Sequence, residues 1–335
     1  MKRNLSPDRI SETGIKKNKN SRSLVYSIVI TNCVSFCSQI DVLTTALEDI
    51  RLYIVKNERM TTCDIVDDEK IPFTGIVYQE IDSTRIAAAI GRYQCDNIDI
   101  SEDATENDRC ISVNLKSFLK NLKNIPSEYT VELKKYSDQE KLIIKAFSVD
   151  TRHVRYSSIN LIDIDSEKMN FDQWPSTWII EVSFFDFIKA AKNLDSKFVR
   201  LRIFKHLTAP SSILYFVLQA HGIDSSVEDT FVSQTQSNNI IVKNDELCCF
   251  GEYAPHNTSI CDVKPLLDSC FSLTYLHNFL KATERKRVIL RLGKQNSHPL
   301  LLYSSFGNRS YTAFVLAAKE TDGLNYTDTI DSFKN

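Results

Sequence analysis

The chain has 335 residues, length for about two domains and a sizeable core. Its 42% hydrophobic and 25% charged residues exclude wholesale disorder and collagen-like or mucin-like polymers. Forty-one Lys and Arg against 43 Asp and Glu give a formal charge of -2, which excludes a surface that coats nucleic acid everywhere but leaves room for a local basic face. The longest apolar stretch, Leu24 to Phe36, is cut by Ser27, Thr31 and Asn32 and falls short of the roughly 20 residues that span a bilayer. Neither a membrane span nor a secretory signal is predicted, and the nine cysteines, odd in number and scattered, read as reduced thiols.

Residues 1–22 carry Lys2, Arg3, Arg9, Lys16, Lys17, Lys19 and Arg22 against Asp8 and Glu12. They predict a disordered basic tail, either a nuclear-targeting or DNA-attracting arm or a solvated extension. Runs rich in β-branched and aromatic residues then recur at Leu24–Ile30, Phe73–Tyr78, Val131–Leu133, Leu142–Phe147, Val199–Phe204, Ile213–Leu218, Val288–Leu292 and Tyr311–Leu316. They predict strands of a mainly antiparallel α+β protein. Residues 321–335 predict a flexible polar tail.

Three helical segments share one design: Phe118-Leu119-Lys120, Phe187-Ile188-Lys189 and Phe279-Leu280-Lys281. A second cation follows each, Lys123, Lys192 and Arg285, three or four positions on. On a helix that spacing puts both cations on one face while the aromatic and aliphatic residues pack inward. Three short basic helices in a net acidic, strand-rich chain predict charge gathered onto one surface.

Little else points to chemistry. With eight glycines there is no Gly-rich phosphate loop, and the six histidines lack the close pairing of a helical zinc site. Cys33 and Cys37 are four apart without a second pair, and Cys248 and Cys249 are adjacent; both read as packing thiols. Asp163, Asp165 and Glu167 alternate with Ile162 and Ile164, a pattern that fits an exposed extended segment as well as a magnesium site. No Ser, Cys or Thr stands in a recognisable nucleophile context. The expectation is therefore no catalytic residue, no metal and no cofactor.

Five stretches resemble the proliferating cell nuclear antigen family, the sliding DNA clamps of eukaryotes and viruses. NLIDIDSEKMNF, 160–171, resembles the family's interdomain connector, and SLTYLHNFLKAT, 272–283, its last inner helix. PLLLYSSFGNRSYTAFVLAAK, 299–319, is similar to its closing strands. IVYQEIDSTRIAAA, 76–89, resembles a strand and turn, and VSQTQSN, 232–238, an edge strand of the second domain. They occur in family order across much of 24–319.

The resemblance implies a two-domain clamp fold with antiparallel sheets outside and short basic helices inside, closing head-to-tail into a trimeric ring around duplex DNA. Expected bounds are 23–149 for the first domain, 150–175 for the connector and 176–320 for the second. The DNA-facing residues implied are Lys120, Lys123, Lys189, Lys192, Lys281 and Arg285. The first inner helix is expected within Ser38 to Val55, where Asp41, Glu48 and Asp49 stand instead of the family's usual lysines. A loop around Asn239 to Asp262 is enlarged, and the edges for ring closure are expected near His153 to Leu161 and Val227 to Thr235.

Partner proteins of the family insert aromatic and aliphatic anchors beneath the connector; the matching positions are Ile81, Arg85, Met169, Phe171, Pro299, Val315 and Ala317. Val315 replaces a usual aromatic, Ala318 a usual proline, and Asp172 the proline after the connector, so a differently shaped motif is expected. The implied function is a nuclear, or viral, processivity clamp with duplex DNA, a polymerase, motif-bearing partners, a clamp loader and self or sister subunits, and no membrane. A subunit of a heterotrimeric checkpoint clamp is the alternative, and a β-rich enzyme the rival of a different class.

Overall fold

The computed structural model describes residues 23–58, 72–148, 150–164, 178–182, 185–206, 214–233, 240–243, 247–253, 263–282, 288–293, 295–307 and 309–319. Its first half runs β1 (Leu24–Ile30), α1 (Cys33–Leu43), β2 (Asp49–Glu58), β3 (Phe73–Ile81), β4 (Ala87–Gln94), β5 (Asn97–Ile100), β6 (Cys110–Asn114), α2 (Leu115–Lys123), β7 (Thr130–Tyr136), β8 (Lys141–Phe147) and β9 (Val154–Asn160). The second runs β10 (Trp178–Val182), α3 (Phe185–Asn193), β11 (Phe198–His206), β12 (Leu214–His221), β13 (Ser226–Ser233), β14 (Ile240–Lys243), β15 (Leu247–Tyr253), β16 (Val263–Ser272), α4 (Leu273–Ala282), β17 (Val288–Leu292), β18 (Leu300–Ser305) and β19 (Tyr311–Leu316). Each half opens with strand–helix–strand and closes with a strand, a helix and three strands. The chain is a structural duplicate of itself.

A five-stranded sheet has the order β5-β1-β7-β8-β9, and a 14-stranded sheet holds the remaining strands. Period-two alternation selects these strands. In β8, for instance, Leu142, Ile144 and Ala146 are buried while Lys141, Ile143 and Lys145 face outward to varying degrees, the pattern of a sheet with one packed face. The halves join where β19 lies antiparallel to β4, with Tyr311 opposite Arg92 through to Leu316 opposite Ala87.

Close packing at this seam explains the small residues of β4. A Cβ on Gly91 would lie 2.3 Å from the Tyr78 hydroxyl and 2.4 Å from the Tyr311 carbonyl. Beneath it, the fully buried Gln39 of α1 donates from Nε2 to the Tyr78 hydroxyl (2.7 Å), the Tyr311 carbonyl (2.8 Å) and the Arg92 carbonyl (3.0 Å). Burial pushes the Tyr78 phenol far up from its ordinary value, so it stays neutral and keeps its proton. These bonds tie α1 to strands of both halves and favour one register where apolar packing alone would permit sliding, although the Gln39 Oε1 is buried without a partner.

One hydrophobic core runs through both halves. Phe36 meets Tyr93 edge-on at 4.8 Å and Phe118 at 6.0 Å, and Phe279 meets Phe314 at 4.9 Å. These are favourable aromatic geometries.

Three expectations change. The first helix spans Cys33–Leu43 rather than lying within Ser38 to Val55. Asn32 caps it by accepting from the Ser35 N–H at 2.9 Å, and Asp49 to Glu58 forms β2 because its Ile50, Leu52 and Ile54 alternate inward between β3 and β6. The enlarged loop of 239–262 contributes strands β14 and β15. As a result β13 is not an end strand: β15 pairs with it at Phe231 and Ser233. By contrast, β9 does end its sheet. The tails of 1–22 and 321–335 lie outside the described residues.

Candidate DNA-facing helices and docking surface

The four helices of the described residues pack as neighbours, α1 on α2, α3 on α4, and α1 on α4. Each keeps an apolar side on the core. In α2 the buried side is Leu115, Phe118, Leu119 and Leu122; in α3 it is Phe187, Ile188 and Ala191; in α4 it includes Leu273, Leu276, Phe279 and Leu280. Asn114 caps α2 by accepting from the Ser117 N–H at 3.1 Å.

Opposite those faces Lys120, Lys123, Lys189, Lys192 and Lys281 are all exposed, while Arg285 lies outside the described residues. Lys116 is also exposed and extends the α2 stripe to 116, 120 and 123. Its four-residue spacing from Lys120 could have identified it in the sequence. Lys120, Lys123, Lys192 and Lys281 occupy last turns, where a cation also offsets the partial negative charge of the helix end.

The first helix is different. It carries no basic residue in its last turn and exposes Val34 to 53%. Its Asp41 pairs with Lys123 at 3.0 Å. Both partners of that pair are about half exposed, so the pair adds little stability, but it puts a competing carboxylate beside one lysine of the α2 stripe.

The proposed docking positions lie on the other face of the seam. Ile81, Ala88, Val315 and Leu301 follow one another across β3, β4, β19 and β18. With Ile90 they form an apolar cluster separate from the main core. Arg85 and Ile86 are exposed in the β3–β4 turn, and the exposed Ala317 donates its N–H to the Ile86 carbonyl at 2.9 Å. Pro299 is half-buried just before β18. The fold therefore brings Ile81, Val315, Arg85 and Ala317 to neighbouring positions. Met169 and Phe171 lie outside the described residues.

Asp82 organises that turn. Its Oδ1 accepts from the Ala87 N–H at 2.9 Å, and its Oδ2 accepts from the hydroxyls of Thr84 and of Tyr275 on α4. Its backbone closes the turn with Ala87 and Arg85, and Arg85 takes a φ of 58°, the left-handed region that a non-glycine residue enters only when held there. Burial disfavours the Asp82 charge, yet hydrogen bonds from Thr84, Tyr275 and the backbone N–H groups of Ala87 and Ile86 outweigh it and hold the carboxyl below the usual range.

Cys33 and Cys37 stack along α1 with sulfurs 3.8 Å apart. The neighbouring Cys33 sulfur and burial raise the Cys37 thiol, while the same contact lowers that of Cys33. No cluster of three metal-ligating residues occurs among the described residues.

No protein-family model matches the sequence, and no curated protein does at a significant level. Solved structures do match. The proliferating cellular nuclear antigen of Entamoeba histolytica aligns over 89% of this chain and 100% of its own, with a TM-score of 0.63 and 14% identity. That of Thermococcus kodakaraensis aligns over 88% and 100%, with a TM-score of 0.62 and 18% identity. At such identities the likeness is one of backbone architecture, and it extends through both halves. The chain has the two-domain fold of the proliferating cell nuclear antigen clamps.

Proposed function

We propose that this chain is a subunit of a DNA sliding clamp, a non-enzymatic ring that encircles duplex DNA and tethers a polymerase and other replication or repair proteins to it. The observation that carries this reading is the helix layer. In a chain of net charge -2, α2, α3 and α4 each expose lysines on the side away from the core. Cations so arranged meet phosphates without reading bases, which holds a duplex while letting the protein translate along it. The ring is then retained by topology, although each contact is weak. The seam cluster around Ile81 and Val315 supplies the surface for partner anchors.

Closure needs a second strand edge to meet β9, whose Tyr156 is 67% exposed and Val154 45%. The β15 ladder at the end of β13 shortens the edge this chain offers in return, and that favours a sister subunit of different sequence, the arrangement of a checkpoint clamp, as a second reading. The site of action on either reading is the nucleus or a viral replication site.

Solution mass by light scattering at micromolar concentration, with and without candidate sister clamps, tests both. A trimer from the chain alone supports the homotypic ring, a trimer only with sisters supports the second reading, and a monomer in every mixture refutes the clamp.

A further inference from the structure

The two halves repeat one another closely enough to define a contact that a single copy of the chain cannot make. Ile28 and Ile180 are equivalent, each five residues before the first helix of its half. From Ile28 the ladders run through Leu133 and Ile144 to Ser157 of β9, and from Ile180 through Leu290 and Leu302 to Phe314 of β19. Arg155 therefore stands in β9 where Thr312 stands in β19. Leu52 and Leu201, each the fourth residue of its strand, give the other side. Leu52 leads through Tyr78 to Gly91 of β4, and Leu201 through Leu218 to Asp229 of β13.

Within the chain β19 covers β4, with Thr312 directly opposite Gly91. The equivalent strands do not cover each other. β9 ends its sheet, and β15 pairs with β13 at Phe231 and Ser233, beyond residues 225–230, which correspond to 87–92 of the seam. A second copy laying its β9 along 225–230 in the register of the seam would set Arg155 directly opposite Asp229. Arg155 is exposed, and its Nη1 donates to the Asn124 carbonyl at the end of α2 at 2.8 Å. Asp229 is half-buried near Asp186 of α3, and burial together with that like charge raises its carboxyl. Neither Arg155 nor Asp229 has an ion-pair partner among the described residues.

The fastening of the seam is absent from these positions. Tyr78, whose hydroxyl bonds the Thr312 hydroxyl at 2.5 Å, is replaced by Leu218, and Gln39, the seventh residue of α1, by Ala191, the seventh of α3. Opposite charges on two open edges take the place of that neutral network. Resting on the clamp reading above, we propose that the chain joins head-to-tail to copies of itself through an ion pair between Arg155 of one copy and Asp229 of the next, and that this pair fixes the register and selects the partner. Charge complementarity names a second copy as the occupant, because one chain carries both members. Directly opposed cross-strand residues have Cβ atoms about 4.5–5.5 Å apart, within reach of a charge-assisted hydrogen bond between guanidinium and carboxylate. The arginine also offsets the repulsion between Asp229 and Asp186. A slip of one residue would turn Arg155 and Asp229 to opposite faces, so only one register makes the pair.

Sedimentation of the full chain over a concentration series tests this, with melting temperature certifying that each variant folds. Arg155→Asp and Asp229→Arg should each raise the concentration of half-assembly about tenfold, because like charges then oppose each other across the joint. The two changes on one chain should restore assembly. Mixed with the native chain, that double variant should sort into oligomers of its own kind, since every mixed joint would oppose two like charges. Arg155→Ala and Asp229→Asn stand in for any reversal that does not fold; each should weaken assembly, and both together no more than either alone. Native-like assembly of the single variants, or a double reversal that restores nothing, overturns the pair and leaves the clamp reading intact. A native chain that assembles only with sister clamps overturns self-recognition and also leaves the clamp intact. A monomer in every mixture overturns the clamp reading itself.

Discussion

Tyr275, on the last helix of the second half, donates its hydroxyl to the carboxylate of Asp82 in a turn of the first, 193 positions earlier in the chain. This bond ties a helix of the lysine-bearing layer to the turn that carries Arg85 and Ile86. Tyr275→Phe should leave the fold intact and lower stability by about 1.5–3 kcal/mol, the range for a hydrogen bond to a charged group. Faster hydrogen exchange confined to residues 82–87 is the local signature to look for. An unchanged exchange pattern would show that the turn holds itself.

The same carboxylate sets a pH dependence. Because its folded pKa is depressed, its contribution is complete above the ordinary aspartate value of about 3.9 and is lost as pH falls through the lower folded value. The stability gap between the native chain and Asp82→Asn should therefore be largest at neutral pH and should shrink progressively below about pH 4. Denaturant melts at a series of pH values measure it, and a gap that widens on acidification contradicts the assignment.

Removal of Lys120, Lys189 and Lys281 together should weaken retention on circular duplex DNA to a similar degree whatever the sequence. Each lost phosphate contact lowers the salt slope by about 0.9, so three should reduce it by roughly 3 for each substituted subunit in the ring. Lys123, paired with Asp41, should contribute less than Lys120. Equal effects of the two single substitutions would remove the distinction drawn here between them.

Gly91→Ala tests the seam. The new methyl would collide with the Tyr311 carbonyl, a backbone group with little room to yield. A drop in stability of about 1–3 kcal/mol is expected, with exchange rising along Ala87–Arg92 and Tyr311–Leu316 together. An unchanged melting temperature would mean that the two strands separate more easily than their packing implies.

Tyr156→Asp on β9 should leave the isolated subunit folded, since the side chain is mainly in solvent, and should abolish assembly by placing a charge on the contact face. Native-like association of this variant would put the subunit contact elsewhere.

Much of this architecture was legible in the chain. Val288–Leu292 and Tyr311–Leu316 have the predicted bounds, and all three Phe-aliphatic-Lys helices form with the aromatic residue inside and the lysine outside, because a 3.6-residue period leaves an apolar stripe no other place to go. Strand β4 was harder to see. Its Ala87, Ala88, Ala89 and Gly91 have weak strand propensity and are placed by cross-chain neighbours such as Tyr78 and Tyr311. The bounds that the resemblance implies for the first helix lie too far along the chain, because IRLYIV alternates inward and pairs with β3 and β6 as a strand, an outcome decided by neighbours distant in sequence.

The antiparallel seam between β4 and β19 has a mechanical consequence for any ring built from this chain. Separating the halves there would break a continuous ladder from Ala87 to Arg92, together with the buried Gln39 bonds behind it. A gate wide enough to admit a duplex would therefore form at the joint between neighbouring chains, where β9 presents a strand edge held from one side only. Each subunit would behave as a rigid arc, and the lifetime of the closed ring on DNA would be set by its least secure joint rather than by any hinge within the chain.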